Sequence, residues 1–334
     1  MRIESQVMSV SWIPSAAISG TTKMPFEMGV THYDDPPPER IDDLDAVVGP
    51  DGARFANELR AWIEVEDGQV VGYGQSGAGR VSDTKMRVAG ITMIVAATTF
   101  PDLHPEPEVG DDYVRFVQTA GGRPGLLAPR RVKGAPFVKI EGPNVWTTLA
   151  LTIRADGTSS GELIGATTFP RHWVYDATGK LASKSATIDF KTWYAAAHGK
   201  HSPWGDEEVV PKMSDAETAL ERRLSRTVMG GGSVPKPKRV GKGKMLISQD
   251  DEDDDLVLLL DGVVEICVDD EPLGVLGPGS ILGERASLEG GKRTASARTL
   301  TDCRVVRFAP ASIAVDDLVE LSEGHRREDG ERRQ

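Results

Sequence analysis

Between residues 41 and 205 the chain repeatedly starts short strand patterns and breaks them with tight-turn residues. Trp62-Ile63-Glu64-Val65-Glu66 alternates apolar and charged side chains, turns through Asp67-Gly68 and resumes at Gln69-Val70-Val71. Asp-Gly between two such runs predicts a hairpin, because the matching turn needs positive φ at both central residues. Lys85 to Ala89, Ile91 to Thr99, Tyr113 to Val117, Trp146 to Ile153, Gly161 to Gly165, His172 to Tyr175 and Ala182 to Phe190 continue the series. No long helical period interrupts it. The pattern predicts a mainly β chain, opening with an antiparallel β-barrel or sandwich over residues 41–210. An up-and-down barrel fits by analogy of fold alone, which carries no function. Residues 1–40 show no sustained period, contain Pro36-Pro37-Pro38 and read as an irregular arm.

Residues 211–240 read as a capped helix and a linker. Ser214-Asp215-Ala216-Glu217 has the spacing of a capping box, and Leu220, Leu224 and Val228 make an i, i+4 stripe over Ser214–Met229. Gly230 is placed to end the helix. Gly231-Gly232 and then Pro235-Lys236-Pro237-Lys238-Arg239 give a tether that is first flexible, then extended.

A second domain is expected over residues 241–322, and its chemistry concentrates in Gly283-Glu284-Arg285-Ala286-Ser287-Leu288-Glu289-Gly290-Gly291-Lys292-Arg293-Thr294-Ala295. The stretch holds one acid and one base at a fixed separation around room for a single helical turn. Backbone N–H groups after Gly283 suit a small anion. Arg293 can pair with the same anion through two parallel hydrogen bonds. Glu284 accepts hydrogen bonds, so it suits a hydroxyl and not a phosphate.

This stretch resembles the phosphate-binding cassette of the cyclic nucleotide-binding domain family, whose pattern runs Phe-Gly-Glu-Leu-Ala-Leu, a short variable stretch, then Pro-Arg-(Ala/Thr/Ser)-Ala. Leu256 to Ile266 is similar to the family's strand, turn and next strand. Leu276-Gly277-Pro278-Gly279-Ser280-Ile281-Leu282 is similar to the approach to the cassette, and Ala297 to Val306 to the strand pair after it. The resemblance covers about residues 238–322 and implies a jelly-roll-like β-roll with short flanking helices. It also implies that Glu284 holds the ribose 2′-hydroxyl and Arg293 neutralises the cyclic phosphate. The backbone around Gly283, Glu284, Arg285 and Ala286, and again at Ala295, would complete the cradle.

Several positions depart from the family pattern. Leu282 stands for Phe, while Arg285 and Ser287 replace apolar residues. Arg285 reads either as a second phosphate cation or as a solvent-facing side chain, the second being favoured. Lys292 replaces Pro, so the loop before Arg293 is expected to lose rigidity. Asp250 replaces a turn Gly, which Asp tolerates. Thr294 leaves the base open between the cAMP-binding and cGMP-binding branches. Composition tips the expectation slightly toward cAMP.

Length and charge bound the rest. A chain of 334 residues exceeds what one core usually serves, so two domains are expected. A net charge of −12 argues against a general nucleic-acid binder. Cys267 and Cys303 read as reduced strand residues and not as a disulfide. No signal pattern opens the chain, and the apolar run Gly90 to Ala97 is far short of the ~20 residues that span a bilayer. A cytoplasmic protein is expected, without a membrane partner. Residues 323–334 read as a charged, disordered tail. That leaves no room for the helix-turn-helix carried after this sensor by bacterial regulators, so no DNA-binding domain is expected.

Other constellations are weaker. His198 and His201 with Asp206, Glu207 and Glu208 contain metal-ligand types without a standard zinc spacing. Asp250 to Asp255 lacks the glycine and later Glu of a calcium loop and reads as a solvated turn. Asp34, Asp35 and Glu39 read as loop solvation, and His32, His104 and His172 show no partners at catalytic spacing. No metal site, catalytic residue or cofactor is assigned. The expected function is regulatory binding of cAMP or cGMP. The nucleotide repositions helices against a β-domain that contacts a protein partner or self-associates. An enzyme with its active site in the β-domain, under nucleotide control, is the alternative. A degenerate fold that binds no nucleotide is a further one.

Overall fold

A computed structural model of the chain describes every residue except 16, 19–22, 29–32, 89, 126–127, 132–137, 142–143, 191–192, 194–202, 204–212, 216–218, 231–235 and 333–334. The described chain is mainly β and divides into two compact units, Met1–Met213 and Ser214–Gln334. His32, His198, His201 and the neighbouring acids lie outside the described residues. No described helix is long and apolar enough to cross a membrane.

The N-terminal unit is built from antiparallel sheets that face each other, and among the described residues no closed barrel forms. One sheet runs Leu181–Ser185, Arg171–Tyr175, Arg2–Trp12, Phe55–Glu66, Gln69–Val81. The other is built on Ser159–Ala166, Val145–Arg154 and Tyr113–Arg123. Val7, Leu59, Ile63, Phe116, Leu149 and Ile153 fill the space between them, each fully buried. The predicted hairpin forms at Asp67 (φ 49) and Gly68 (φ 80), the left-handed pair that a two-residue turn requires.

The irregular arm expected over residues 1–40 is corrected at its start. Arg2–Trp12 is an interior strand, paired with Phe55–Glu66 on one side and Arg171–Tyr175 on the other. Its inward positions include Ser9 and Ser11, both fully buried, so polar residues hide the alternation. Ser9 Oγ meets Thr147 Oγ1 at 3.0 Å, and Ser11 Oγ meets His172 Nδ1 at 2.7 Å. His172 Nε2 faces the Thr167 carbonyl at 2.7 Å, so the ring donates there and accepts from Ser11. Desolvation, opposed by that carbonyl and reinforced by Arg171, pushes its pKa down to about 4. Ser11 and His172 resemble a nucleophile and its base, but both are sealed from solvent. Asp34 is likewise no solvated loop residue. It is buried, 2.9 Å from Arg54 Nε, and accepts the Ile13 N–H at 2.8 Å.

The C-terminal unit is a roll of two four-stranded antiparallel sheets. Lys238–Val240, Cys303–Phe308, Leu256–Asp261 and Ile281–Leu282 form one. Met245–Ile247, Ser296–Thr299, Val264–Val268 and Glu271–Leu276 form the other. The first five residues of Leu256–Asp261 are all apolar because both faces of the strand are covered. Val257 and Leu259 point into the roll with Leu246, Val264 and Val305, while Leu256 and Leu258 pack under helices. Those helices are Ala219–Gly230 and Val315–Arg332. The predicted stripe Leu220, Leu224 and Val228 is buried against Leu318 and Leu321.

The helix boundaries need correction. Ser214 lies in a short strand, Met213–Asp215, and the first helix begins at Ala219, so the expected capping box is not its N-terminus. The second helix continues past Glu323 into the segment read as a disordered tail. Cys267 and Cys303 are free thiols.

Candidate functional site

After the strand Ile281–Leu282, Gly283 turns the chain into a six-residue helix, Glu284–Glu289. Gly283 has φ 94, a left-handed conformation that costs a side chain energy. A Cβ there would also collide with Arg293 Nη1. The helix ends at Gly290 and Gly291, both left-handed, and the chain returns through Lys292 to Arg293. Gly283, Glu284, Arg285, Ala286, Arg293, Thr294 and Ala295 all line one cavity of about 100 Å³. Its remaining wall is largely apolar and includes Ile247, Ile266, Val268 and Leu276.

Glu284 and Arg293 are buried to 5% and 3% exposure, unusual for a carboxylate and a guanidinium. Arg293 donates through Nη2 to the Asp255 carbonyl at 2.6 Å and through Nη1 to the Gly283 carbonyl at 3.3 Å. Its Nη2 also lies 3.0 Å from Asp253 Oδ2. Arg307 reaches the same oxygen from Nη1 at 2.9 Å and donates to the Leu246 carbonyl at 2.7 Å. Burial pulls the Asp253 carboxyl up, but the Asp255 N–H and the two guanidinium groups outweigh it, and the net direction is down.

The acidic run is therefore part of the cassette's support. Asp250 N–H donates to the Arg293 carbonyl, Arg293 N–H to the Asp251 carbonyl, and Asp253 N–H to the Gly291 carbonyl, at 2.9, 3.0 and 3.1 Å. This ladder fixes the loop before Arg293, which corrects the rigidity expected to be lost with Lys292. Asp250 takes φ 69, as its turn position requires. Sequence reasoning missed Asp253 and Arg307 because their partners lie 40 and 54 residues away. Arg285 is half-buried and belongs to the cavity wall, against the favoured reading of a solvent-facing side chain. Leu318 and Leu321 are buried in the core under the helices and do not line the cavity.

The sequence of this unit matches a known family over residues 237–314. Those residues form a cyclic nucleotide-binding domain. The match leaves the N-terminal unit unassigned. A curated relative, the cAMP-dependent protein kinase regulatory subunit of Eremothecium gossypii, is 38% identical over 66 residues, 20% of this chain and 14% of that protein. The chain thus spans a small part of the relative's length. Among solved structures, the cGMP-bound EAL enzyme Bd1971 is 29% identical over 25% of this chain and 23% of that one, with a TM-score of 0.21. A cyclic nucleotide-binding domain from Methylobacillus flagellatus KT is 19% identical over 34% of this chain and 81% of that one, with a TM-score of 0.29.

Proposed function

We propose that the cavity beside Gly283 binds a purine cyclic nucleotide, cAMP or cGMP, and that the chain is a regulatory protein. The observation that carries this reading is the burial of Glu284 and Arg293 on one small cavity wall. An acceptor-only acid and a donor-only base side by side on one cavity wall match the hydroxyl and the phosphate that a cyclic nucleotide carries close together. Arg293 pairs with the cyclic phosphate. Glu284 accepts the ribose 2′-hydroxyl. Backbone N–H groups of Gly283 to Ala286 and of Ala295 complete the cradle, and the apolar wall takes the base.

Binding acts on the two helices of the same unit. A ligand shifts an equilibrium only by differing in affinity for its states. Glu221, on the Ala219–Gly230 helix, accepts the Ile281 N–H at 3.3 Å, two residues before Gly283. Arg223 of that helix pairs with Asp317 of the Val315–Arg332 helix at 2.6 Å. A change at the cassette therefore reaches both helices. Their displacement is the signal, and the N-terminal β-domain delivers it to a protein partner or an assembly. Calorimetric titration of the full chain with each nucleotide tests the binding. Hydrogen exchange of residues 219–230, with and without nucleotide, tests the transmission.

A further inference from the structure

We propose that Arg285 reads the base and makes the cavity selective for guanine over adenine. The proposal rests on the cavity being a cyclic-nucleotide site and names its ligand more closely. Ile247, Ile266, Val268 and Leu276 offer apolar contact that serves either purine equally. Glu284 and Arg293 are assigned to ribose and phosphate, which both nucleotides share. Arg285 is the remaining charged residue in the lining, half-buried at the start of the short helix.

A guanidinium is a donor-only group in a rigid planar fork. Guanine presents two adjacent acceptors, N7 and O6. Adenine presents N7 beside an amino donor, which sets donor against donor. Arg285 can therefore bond guanine at two points and adenine at one. Thr294 lines the same cavity, but a hydroxyl donates and accepts, so it bonds either base. The half-buried cation thus reverses the slight preference for cAMP that composition gave.

The test is calorimetric titration of the full chain with cGMP, cAMP and cyclic inosine monophosphate. The inosine nucleotide keeps O6 and N7 but lacks the amino group. The wild type should bind cGMP about tenfold more tightly than cAMP, the scale of one good two-point base contact. The inosine nucleotide should follow cGMP. Arg285→Leu should weaken cGMP about tenfold more than it weakens cAMP, so that the two affinities converge. Should that variant lose its folding transition, Arg285→Lys carries the test. It keeps the charge but not the fork, and should lose most of the preference. Equal affinities, a preference for cAMP, an inosine nucleotide that follows cAMP, or a ratio unchanged in the variants would overturn the role of Arg285. Failure to bind any of the three would instead overturn the reading of the cavity itself.

Discussion

Asp253 Oδ2 lies 3.0 Å from Arg293 Nη2 and 2.9 Å from Arg307 Nη1, so one carboxylate oxygen serves two cations. An anion arriving at Arg293 competes with Asp253 for the guanidinium. If Asp253 yields, Arg307 still holds it, and neither the carboxylate nor Arg293 is left without a counter-charge. Losing one partner of a buried charge pair is the expensive event, and this arrangement avoids it. It lets a buried arginine be held in place and still receive a ligand.

Gly283→Ala combines a strained left-handed backbone with a Cβ that meets Arg293 Nη1. The backbone term alone is about 1–2 kcal/mol. The variant should melt at a lower temperature and bind nucleotide at least roughly tenfold more weakly, because Arg293 is displaced. Calorimetry and thermal melting of the variant measure both. Unchanged affinity would show that the close approach of Gly283 to Arg293 does not matter for binding.

Glu284→Ala removes the acceptor assigned to the ribose 2′-hydroxyl. A hydrogen bond to a charged group contributes about 1.5–3 kcal/mol, so affinity should fall roughly tenfold or more. The variant should also cease to distinguish the nucleotide from its 2′-deoxy analogue. Competition binding with the deoxy compound checks this. A variant that still discriminates would remove Glu284 from the ribose.

His172 predicts an acid-sensitive N-terminal unit. Its folded pKa is pushed down to about 4 from an ordinary 6.5, so below 6.5 the unfolded chain takes up the proton more readily. Its contribution is full above about pH 6.5 and is lost progressively as pH falls toward 4, amounting to roughly 3 kcal/mol over that window. All six tryptophans lie before residue 205, so their fluorescence follows this unit. Their unfolding transition should shift to lower temperature between pH 6.5 and 4, and His172→Gln should flatten that dependence.

The core claims that were legible in the sequence are the local ones. The Asp67-Gly68 hairpin, the Leu220, Leu224, Val228 stripe and the grouping of Glu284 with Arg293 each depend on residues close in sequence. What stayed hidden depends on distant partners. Arg2–Trp12 could not be read as a strand because Ser9 and Ser11 face inward, satisfied by Thr147 and His172. Asp34 looked solvated because its partner Arg54 is 20 residues away and fully buried. Asp253 looked like one acid among many until Arg293 and Arg307 converged on it. Arg285 could not be assigned to the cavity from its neighbours alone.

Transmission has its own test. Leu224 is 2% exposed where the first helix packs on the roll, and Glu221 ties that helix to Ile281. Nucleotide should change the hydrogen-exchange protection of residues 219–230. Leu224→Ala should destabilise the unit by about 2–5 kcal/mol and raise exchange there even without ligand. Exchange indifferent to nucleotide would separate binding from helix movement.

The most direct measurement is a calorimetric titration of the wild type and Arg293→Ala with cGMP and with cAMP. Removing one partner of a hydrogen-bonded charge pair costs roughly 2–5 kcal/mol. The wild type should bind at least one of the nucleotides, and Arg293→Ala should bind it at least roughly 30-fold more weakly. Equal affinity in the two proteins, or no binding of either nucleotide to the wild type at millimolar concentration, would contradict the assignment.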